Sequence, residues 1–241
     1  MEVIQGKDYS KDLALATALP AFLVADLLKC PNLPSLPSVA INVLKIARTE
    51  HPSVSEYANA IERDPALTMR IITLANSAFF SRTHIKVHTC HEAAARLGLD
   101  ATLAAVMSFS LLQNRAVDTH YQRVWMRSII ASLAARHLAI HLCADMAGPV
   151  FTAALLQDIG IIALRATYPI ESNHLYAEAA SSHRQLSESE QRLFGCDHSQ
   201  VGAWIAAKWG VPTPLAQRIC DSHGEYDIAA PDMVCIQLSG P

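Results

Sequence analysis

Apolar residues recur along most of this chain at intervals of three and four, which is the spacing of one face of a helix. In the segment that follows Asp64, for example, Leu67, Ile71 and Leu74 fall on one stripe. Residues 101–114 are apolar on nearly every face, which predicts a buried central helix. No stretch alternates apolar and polar residues with the β-branched content typical of a strand. The pattern therefore predicts an all-α protein.

Start and stop signals divide this pattern into about twelve predicted helices. Capping boxes, in which a Ser or Thr and a Glu three residues later satisfy free backbone donors, occur at 53–56, 89–92 and 187–190. Asp64 stands before a proline, as an N-cap does, and Gly98, Gly195 and Gly210 stand where a helix needs a left-handed end. The predicted helices are 20–29, 37–49, 54–63, 65–78, 90–97, 101–114, 120–142, 148–167, 170–182, 187–194, 198–209 and 213–222.

Composition narrows the function classes. The 241 residues carry a net charge of -3, which gives no long-range attraction to nucleic acid. The longest charge-free runs, 13–25 and 101–114, are too short to cross a bilayer, so no membrane partner is expected. Six cysteines are scattered without a C-x-x-C pair, which is typical of reduced thiols in the cytoplasm. No nucleotide-binding signature is present, and no cofactor is predicted.

The second half of the chain contains residues that suggest metal chemistry. The sequence Leu-Leu-Gln-Asp-Ile-Gly covers 155–160, and His198 and His223 follow downstream. This layout resembles the HD domain, a helical fold of metal-dependent phosphohydrolases in which a His-Asp pair and other His and Asp residues bind divalent ions. Imidazole and carboxylate are suitable ligands, and a divalent ion can activate water for hydrolysis.

Two ligands that the resemblance implies are replaced. Gln157 stands where the histidine of the pair would be, and Arg127 stands where the family's leading histidine would be. Arginine is a permanent cation and does not coordinate metals. The sequence therefore predicts a degenerate pocket of Arg127, Gln157, Asp158, His198 and His223 without a metal, in which Arg127 pairs with Asp158. The alternative is a divergent phosphohydrolase that uses Asp158, His198 and His223.

Ordered motifs in the first half sharpen the resemblance. They include L-P-S-L-P at 33–37, D-P-A-L-T at 64–68, A-N-S at 75–77 and R-L-G at 96–98. With the later motifs they are similar to the HDOD family, a relative of HD domains that commonly lacks the metal ligands. The resemblance implies two packed helical lobes and a bacterial signalling role. The predicted organisation is a peripheral segment over 1–29, an HDOD domain over 30–225, with lobes at 30–115 and 116–225, and a tail over 226–241.

The resemblance and the replaced ligands together favour a non-catalytic regulatory module. We expect it to act in the cytoplasm through contacts with a protein partner, and not as an enzyme. A second-messenger nucleotide and a homo-oligomer stay open as alternatives. Asn76 and Ser77, at the end of a predicted helix, are interpreted as residues of the junction between the lobes.

Overall fold

A computed structural model describes residues 19–239 except 35, 48, 50, 82–84, 113–118, 180–181 and 225–227. The described residues form helices and no strand, which confirms the all-α prediction. The first six helices are α1 (Ala21–Lys29), α2 (Ser38–Ala47), α3 (Val54–Ile61), α4 (Pro65–Ala75), α5 (Cys90–Leu97) and α6 (Leu99–Leu112). The others are α7 (Thr119–Leu142), α8 (Ala147–Leu156), α9 (Ile159–Thr167), α10 (Pro169–Glu178), α11 (His183–Phe194), α12 (His198–Lys208), α13 (Thr213–Cys220) and α14 (Pro231–Ser239), with 3-10 turns at Ala144–Met146 and Asp221–His223.

The first lobe is built around α6, which packs against α2, α3, α4 and α5. Its residues Ala104 and Val106 are fully buried, as the apolar sequence predicted. The capping signals of this lobe are confirmed, because Ser53 and Thr89 form complete capping boxes and Asp64 accepts hydrogen bonds from the first turn of α4. These caps fix where each helix begins and leave the apolar faces to meet in one core.

The second lobe is built around α7, α8 and α9. Helix α8 packs along α7, α9 packs against α12, and contact between α6 and α8 joins the two lobes. The span Ala144–Thr167 is long and apolar enough to cross a membrane by length and composition, but 83% of its apolar 18-residue window is buried within the protein. Such burial is what the core helices of a folded domain show.

Both ends of the described chain pack on this second lobe. Helix α1 contacts α9, and the hydroxyl of Tyr168 donates a hydrogen bond of 2.6 Å to Asp26. Near the other end, α14 contacts α7 and α8 and buries Cys235 and Ile236 completely. The segments expected to be a peripheral region and a tail thus each contain a helix that contributes to the core.

Two of the differences from the predicted helix boundaries lie at the site described below. The helix expected over 148–167 is broken at residues 157–158, where Asp158 leaves helical geometry before α9 begins. The capping box expected at 187–190 does not form, because α11 already begins at His183 with Ser182 as its N-cap. Ser187 instead donates to Asp197, and Glu190 is buried. In the second case tertiary contacts use two polar side chains that the sequence pattern had assigned to a local cap.

Candidate metal centre

Four side chains from four different elements converge in the second lobe. Asp158 precedes α9, His183 and His198 are the first residues of α11 and α12, and His223 ends the 3-10 turn after α13. One potential ligand atom from each lies within 4.8 Å of all the others. Asp158, His183 and His198 are buried and His223 is half-buried. No other group of this kind occurs among the described residues.

The three imidazoles meet through their Nε2 atoms. These atoms are 2.9 Å apart between His198 and His183, 2.8 Å between His198 and His223, and 3.0 Å between His183 and His223. Each Nε2 has only one in-plane position, which holds either a hydrogen or a lone pair. Three such atoms therefore cannot all be satisfied by hydrogen bonds to one another, and the triangle lacks a central partner.

Asp158 completes the cluster. Its Oδ1 lies 3.2 Å from His183 Nε2 and 3.9 Å from His198 Nε2. Neither carboxylate oxygen has a hydrogen-bond partner among the described residues, although the side chain is buried. Burial raises the pKa of Asp158, but the charges of the surrounding histidines outweigh it and hold the pKa below its usual range. The carboxylate is therefore an ionised, incompletely satisfied ligand.

A buried carboxylate orients His198. Glu190 accepts the backbone N–H of His198 at 2.9 Å and also contacts its ring at Nδ1. Burial lowers the pKa of His198, but Glu190, Asp158 and Asp197 together raise it to about 9. A hydrogen bond from Nδ1 to a carboxylate directs Nε2 at the cluster, which is how metal-ligating histidines are usually held. In contrast, burial and the neighbouring His198 and His183 lower the pKa of His223 to about 3.

Close contact between two helices sets the distance between Asp158 and His198. At Gly160 in α9, an added Cβ would meet the carbonyl oxygen of His198 at 1.9 Å, and at Gly202 in α12 it would meet the amide of Gly160 at 3.3 Å. The α9 and α12 backbones can approach this closely only because Gly160 has no side chain. The Gly of the Leu-Leu-Gln-Asp-Ile-Gly motif thus holds its Asp against the first residue of α12.

The two residues that replace family ligands lie differently. Arg127 is beside the cluster, with its Nη2 3.8 Å from Asp158 Oδ2 and 2.6 Å from His183 Nδ1. Gln157 is fully buried, and its amide has no hydrogen-bond partner among the described residues. The structure therefore brings together Arg127, Asp158, His198 and His223, while it shows no bond between Gln157 and these residues.

The sequence reasoning missed two members of the site, His183 and Glu190. His183 belongs to none of the motifs that carry the resemblance, and the misplaced start of α11 left it outside a predicted helix. Its only signal is position, because like His198 it is the first residue of a helix with a side-chain N-cap. Glu190 was assigned to a cap, and only the fold reveals that it faces His198.

The donor set fits a divalent cation. Three imidazoles and one carboxylate are ligands that manganese, iron and zinc accept. The unsatisfied Asp158 carboxylate supports the same conclusion.

Asn76 and Ser77 lie elsewhere. Asn76 ends α4 and exchanges two hydrogen bonds with the backbone of Val87, at 2.9 and 3.0 Å. Ser77 lines an apolar cavity of about 150 Å³ whose other walls come from both lobes, including Phe109 of α6 and Leu155 of α8. That these two residues act as a functional junction between the lobes stays a prediction.

Comparison with known proteins agrees with this architecture. The family model of the HDOD domain matches residues 33–224. The chain is a member of the HDOD family. Within this HDOD protein the match covers both lobes and all four residues of the cluster, so the family resemblance stated from the sequence is confirmed.

Individual relatives are distant. A protein of Treponema pallidum described only as "Uncharacterized protein" is 24% identical over 220 residues, which are 88% of this chain and 41% of that protein. A structure from Marinobacter aquaeolei described as "Putative signal transduction protein" has a TM-score of 0.71 at 20% identity, over 98% of this chain and 56% of that one. A "Putative phosphohydrolase" from Shewanella amazonensis has a TM-score of 0.70 at 21% identity, over 91% and 80%. These likenesses establish the fold. The chain spans less than three-fifths of the first two proteins.

The sequence-based prediction that this protein is not an enzyme is wrong. It depended on the loss of two ligands, whereas the described residues provide a complete set of four through the unanticipated His183. A structural neighbour also carries the description "Putative phosphohydrolase". The replacement of the His-Asp pair by Gln157-Asp158 removed one histidine from the pocket but did not remove its ability to hold a metal.

Proposed function

We propose that this HDOD protein is a phosphohydrolase that depends on a single divalent cation held by Asp158, His183, His198 and His223. The convergence of these four ligand atoms within 4.8 Å is the observation that carries the proposal. Asp158 contributes the negative charge of the set, and Glu190 holds His198 with Nε2 directed at the ion. A cation bound there would act as a Lewis acid and would make water nucleophilic near neutral pH.

The ligand count favours a metal with six coordination positions. Four protein ligands fill a tetrahedral zinc site, whereas a catalytic site must keep an open position. Mn²⁺ or Fe²⁺ accepts more than four ligands, so an ion held by the same four side chains would still have room for water and substrate. We therefore expect Mn²⁺ or Fe²⁺ to support activity and Zn²⁺ to bind without supporting it.

A phosphate ester is the substrate class that the surroundings suit. Arg127 provides a permanent positive charge beside the cluster, and its side chain is 31% exposed, so it can meet a ligand from solvent. A guanidinium offers paired donors that match phosphate oxygens. His223 is only half-buried, so the cluster is not fully enclosed by protein. Signal transduction in the cytoplasm, with a protein partner, is the cellular setting that we propose, supported by family membership and by the absence of disulfides between the cysteines.

The test combines metal analysis with an assay. Protein purified without a nickel column is dialysed against Mn²⁺, its metal content is measured, and hydrolysis of bis(p-nitrophenyl) phosphate is followed. We expect one bound ion per chain, and turnover that is lost in the D158A and H198A variants. The H141A variant, which removes an exposed histidine of α7, should behave as wild type. Protein that neither binds Mn²⁺ nor hydrolyses the ester would contradict the proposal.

A further inference from the structure

We propose that Arg127 hinders metal binding at the metal-free cluster by fixing His183 in the tautomer that carries its hydrogen on Nε2, the nitrogen that faces the cluster. In this arrangement, the closed state, His183 cannot coordinate an ion through Nε2. The inference rests on the metal centre proposed above and concerns what has to move before an ion can bind there. It assigns Arg127 a positioning role that acts on the cluster through His183.

The contact between these two side chains determines the tautomer. Arg127 Nη2 lies 2.6 Å from Nδ1 of His183. A guanidinium has donors only, so Nδ1 must accept and must carry a lone pair. A neutral imidazole with a lone pair on Nδ1 carries its hydrogen on Nε2. The geometry therefore fixes the position of the His183 proton without reference to its titration.

The nitrogen that carries this hydrogen is the one that faces the cluster. Nε2 of His183 is 2.9 Å from His198 Nε2 and 3.0 Å from His223 Nε2. A ring nitrogen that bears a hydrogen has no lone pair in the ring plane to give to a metal. Coordination by His183 through Nε2 thus requires its hydrogen to move to Nδ1, and Arg127 must first leave Nδ1.

His198 shows the opposite arrangement within the same cluster. Its Nδ1 faces the carboxylate of Glu190, which accepts a hydrogen. In the neutral ring of His198 that partner holds the one hydrogen on Nδ1 and leaves Nε2 free for a metal, whereas the donor Arg127 does the reverse for His183. One histidine is therefore held ready to coordinate and another is held unready, and the difference is the chemistry of the group at Nδ1.

Charge acts in the same direction. The guanidinium lies 3.8 Å from Asp158 Oδ2, so it neutralises part of the negative charge that would attract an incoming cation. Arg127 is able to leave, because its side chain is 31% exposed and its Nε has no hydrogen-bond partner among the described residues. Binding of the ion and withdrawal of Arg127 are thus coupled, and the apparent affinity is lowered by the population of the closed state.

Two measurements without an assay of activity test this coupling. Calorimetric titration with MnCl₂ compares wild type with R127M, which keeps an unbranched apolar stem but loses charge and donors. We expect R127M to bind Mn²⁺ at least about tenfold more tightly. The matched control is R123M, which removes an exposed arginine one turn earlier on α7 and should leave affinity unchanged. Nitrogen-detected NMR of the metal-free proteins then reports the His183 tautomer, expected as Nε2–H in wild type and shifted toward Nδ1–H in R127M.

The outcomes separate this inference from the metal centre itself. If R127M binds Mn²⁺ no more tightly than wild type, the role proposed for Arg127 is wrong. The metal centre itself is still supported in that case, because wild type binds the ion. An equal gain in R123M attributes the effect to net charge and also overturns it. Absence of binding in all three proteins overturns both proposals. If R127M does not fold, the wild-type spectrum decides alone, because a His183 ring protonated at Nδ1 contradicts the closed state.

Discussion

Two polar side chains, half-buried Asn76 in the first lobe and buried Asp158 in the second, differ in whether other protein groups complete their hydrogen bonds. In the first lobe, Asn76 donates to the Val87 carbonyl and accepts from the Val87 amide, and Arg96 adds a donor at 3.4 Å. In the second lobe, both oxygens of Asp158 lack a hydrogen-bond partner among the described residues. Burial of an unsatisfied polar group costs stability. A polar group that is buried without hydrogen bonds therefore suggests that it binds a ligand, whereas a polar group with all its hydrogen bonds to protein suggests a structural role.

The largest effect that we expect is at the unsatisfied group. Replacement D158A removes the negative ligand and should weaken Mn²⁺ binding more than about 100-fold, because removal of even indirect partners costs up to that much. An ion that binds the native state raises the midpoint of thermal unfolding. The rise with added Mn²⁺ in wild type should therefore vanish in D158A and persist in H141A. A full Mn²⁺-dependent rise in D158A would show that the ion binds elsewhere.

Replacement of Asn76, whose hydrogen bonds are complete, should change the stability of the protein and not its affinity for metal. Replacement N76A strands the amide and carbonyl of Val87 and should lower the free energy of unfolding by about 2 kcal/mol. Chemical denaturation measures it, with T73A as the control, since Thr73 is exposed one turn earlier on α4 and bonds only within its helix. Mn²⁺ affinity should not change in N76A. A loss of affinity there would end the contrast between the two groups.

Replacement of Glu190 tests how much the residue that orients a ligand contributes to Mn²⁺ affinity, compared with a ligand itself. Replacement E190Q keeps the shape of the side chain but removes the charge that orients His198, and we expect about a tenfold loss of Mn²⁺ affinity. E188Q is the matched control on α11, because the exposed side chain of Glu188 forms a surface ion pair with Arg184. Calorimetric titration distinguishes the two. Unchanged affinity in E190Q would reduce Glu190 to a helix-packing residue.

Sequence reasoning found what is local and missed what is tertiary. Capping at Ser53, Asp64 and Thr89 was predictable because cap and helix are within a few residues of one another. Asp158 and His198 were found because they belong to ordered motifs. His183 was not, because its role depends on the fold bringing the start of α11 close to Asp158 and His198. The error about enzyme function followed from counting the two replaced ligands without this third histidine.

Replacement of Gln157 should have the smallest effect of the four, and it tests whether every unsatisfied buried group belongs to a ligand site. Its amide is fully buried without a hydrogen-bond partner among the described residues, so it resembles Asp158 in being unsatisfied, but no hydrogen bond joins it to the cluster. Replacement Q157L keeps the volume and removes the unpaired amide, which should raise the free energy of unfolding by about 1 kcal/mol. Q185L, at an exposed position on α11, should change it little. Mn²⁺ affinity should stay as in wild type, because Gln157 supplies no ligand atom. A destabilised Q157L would mean that the amide forms hydrogen bonds to a buried water. A lack of hydrogen bonds to protein atoms would then not distinguish ligand-binding groups from structural ones.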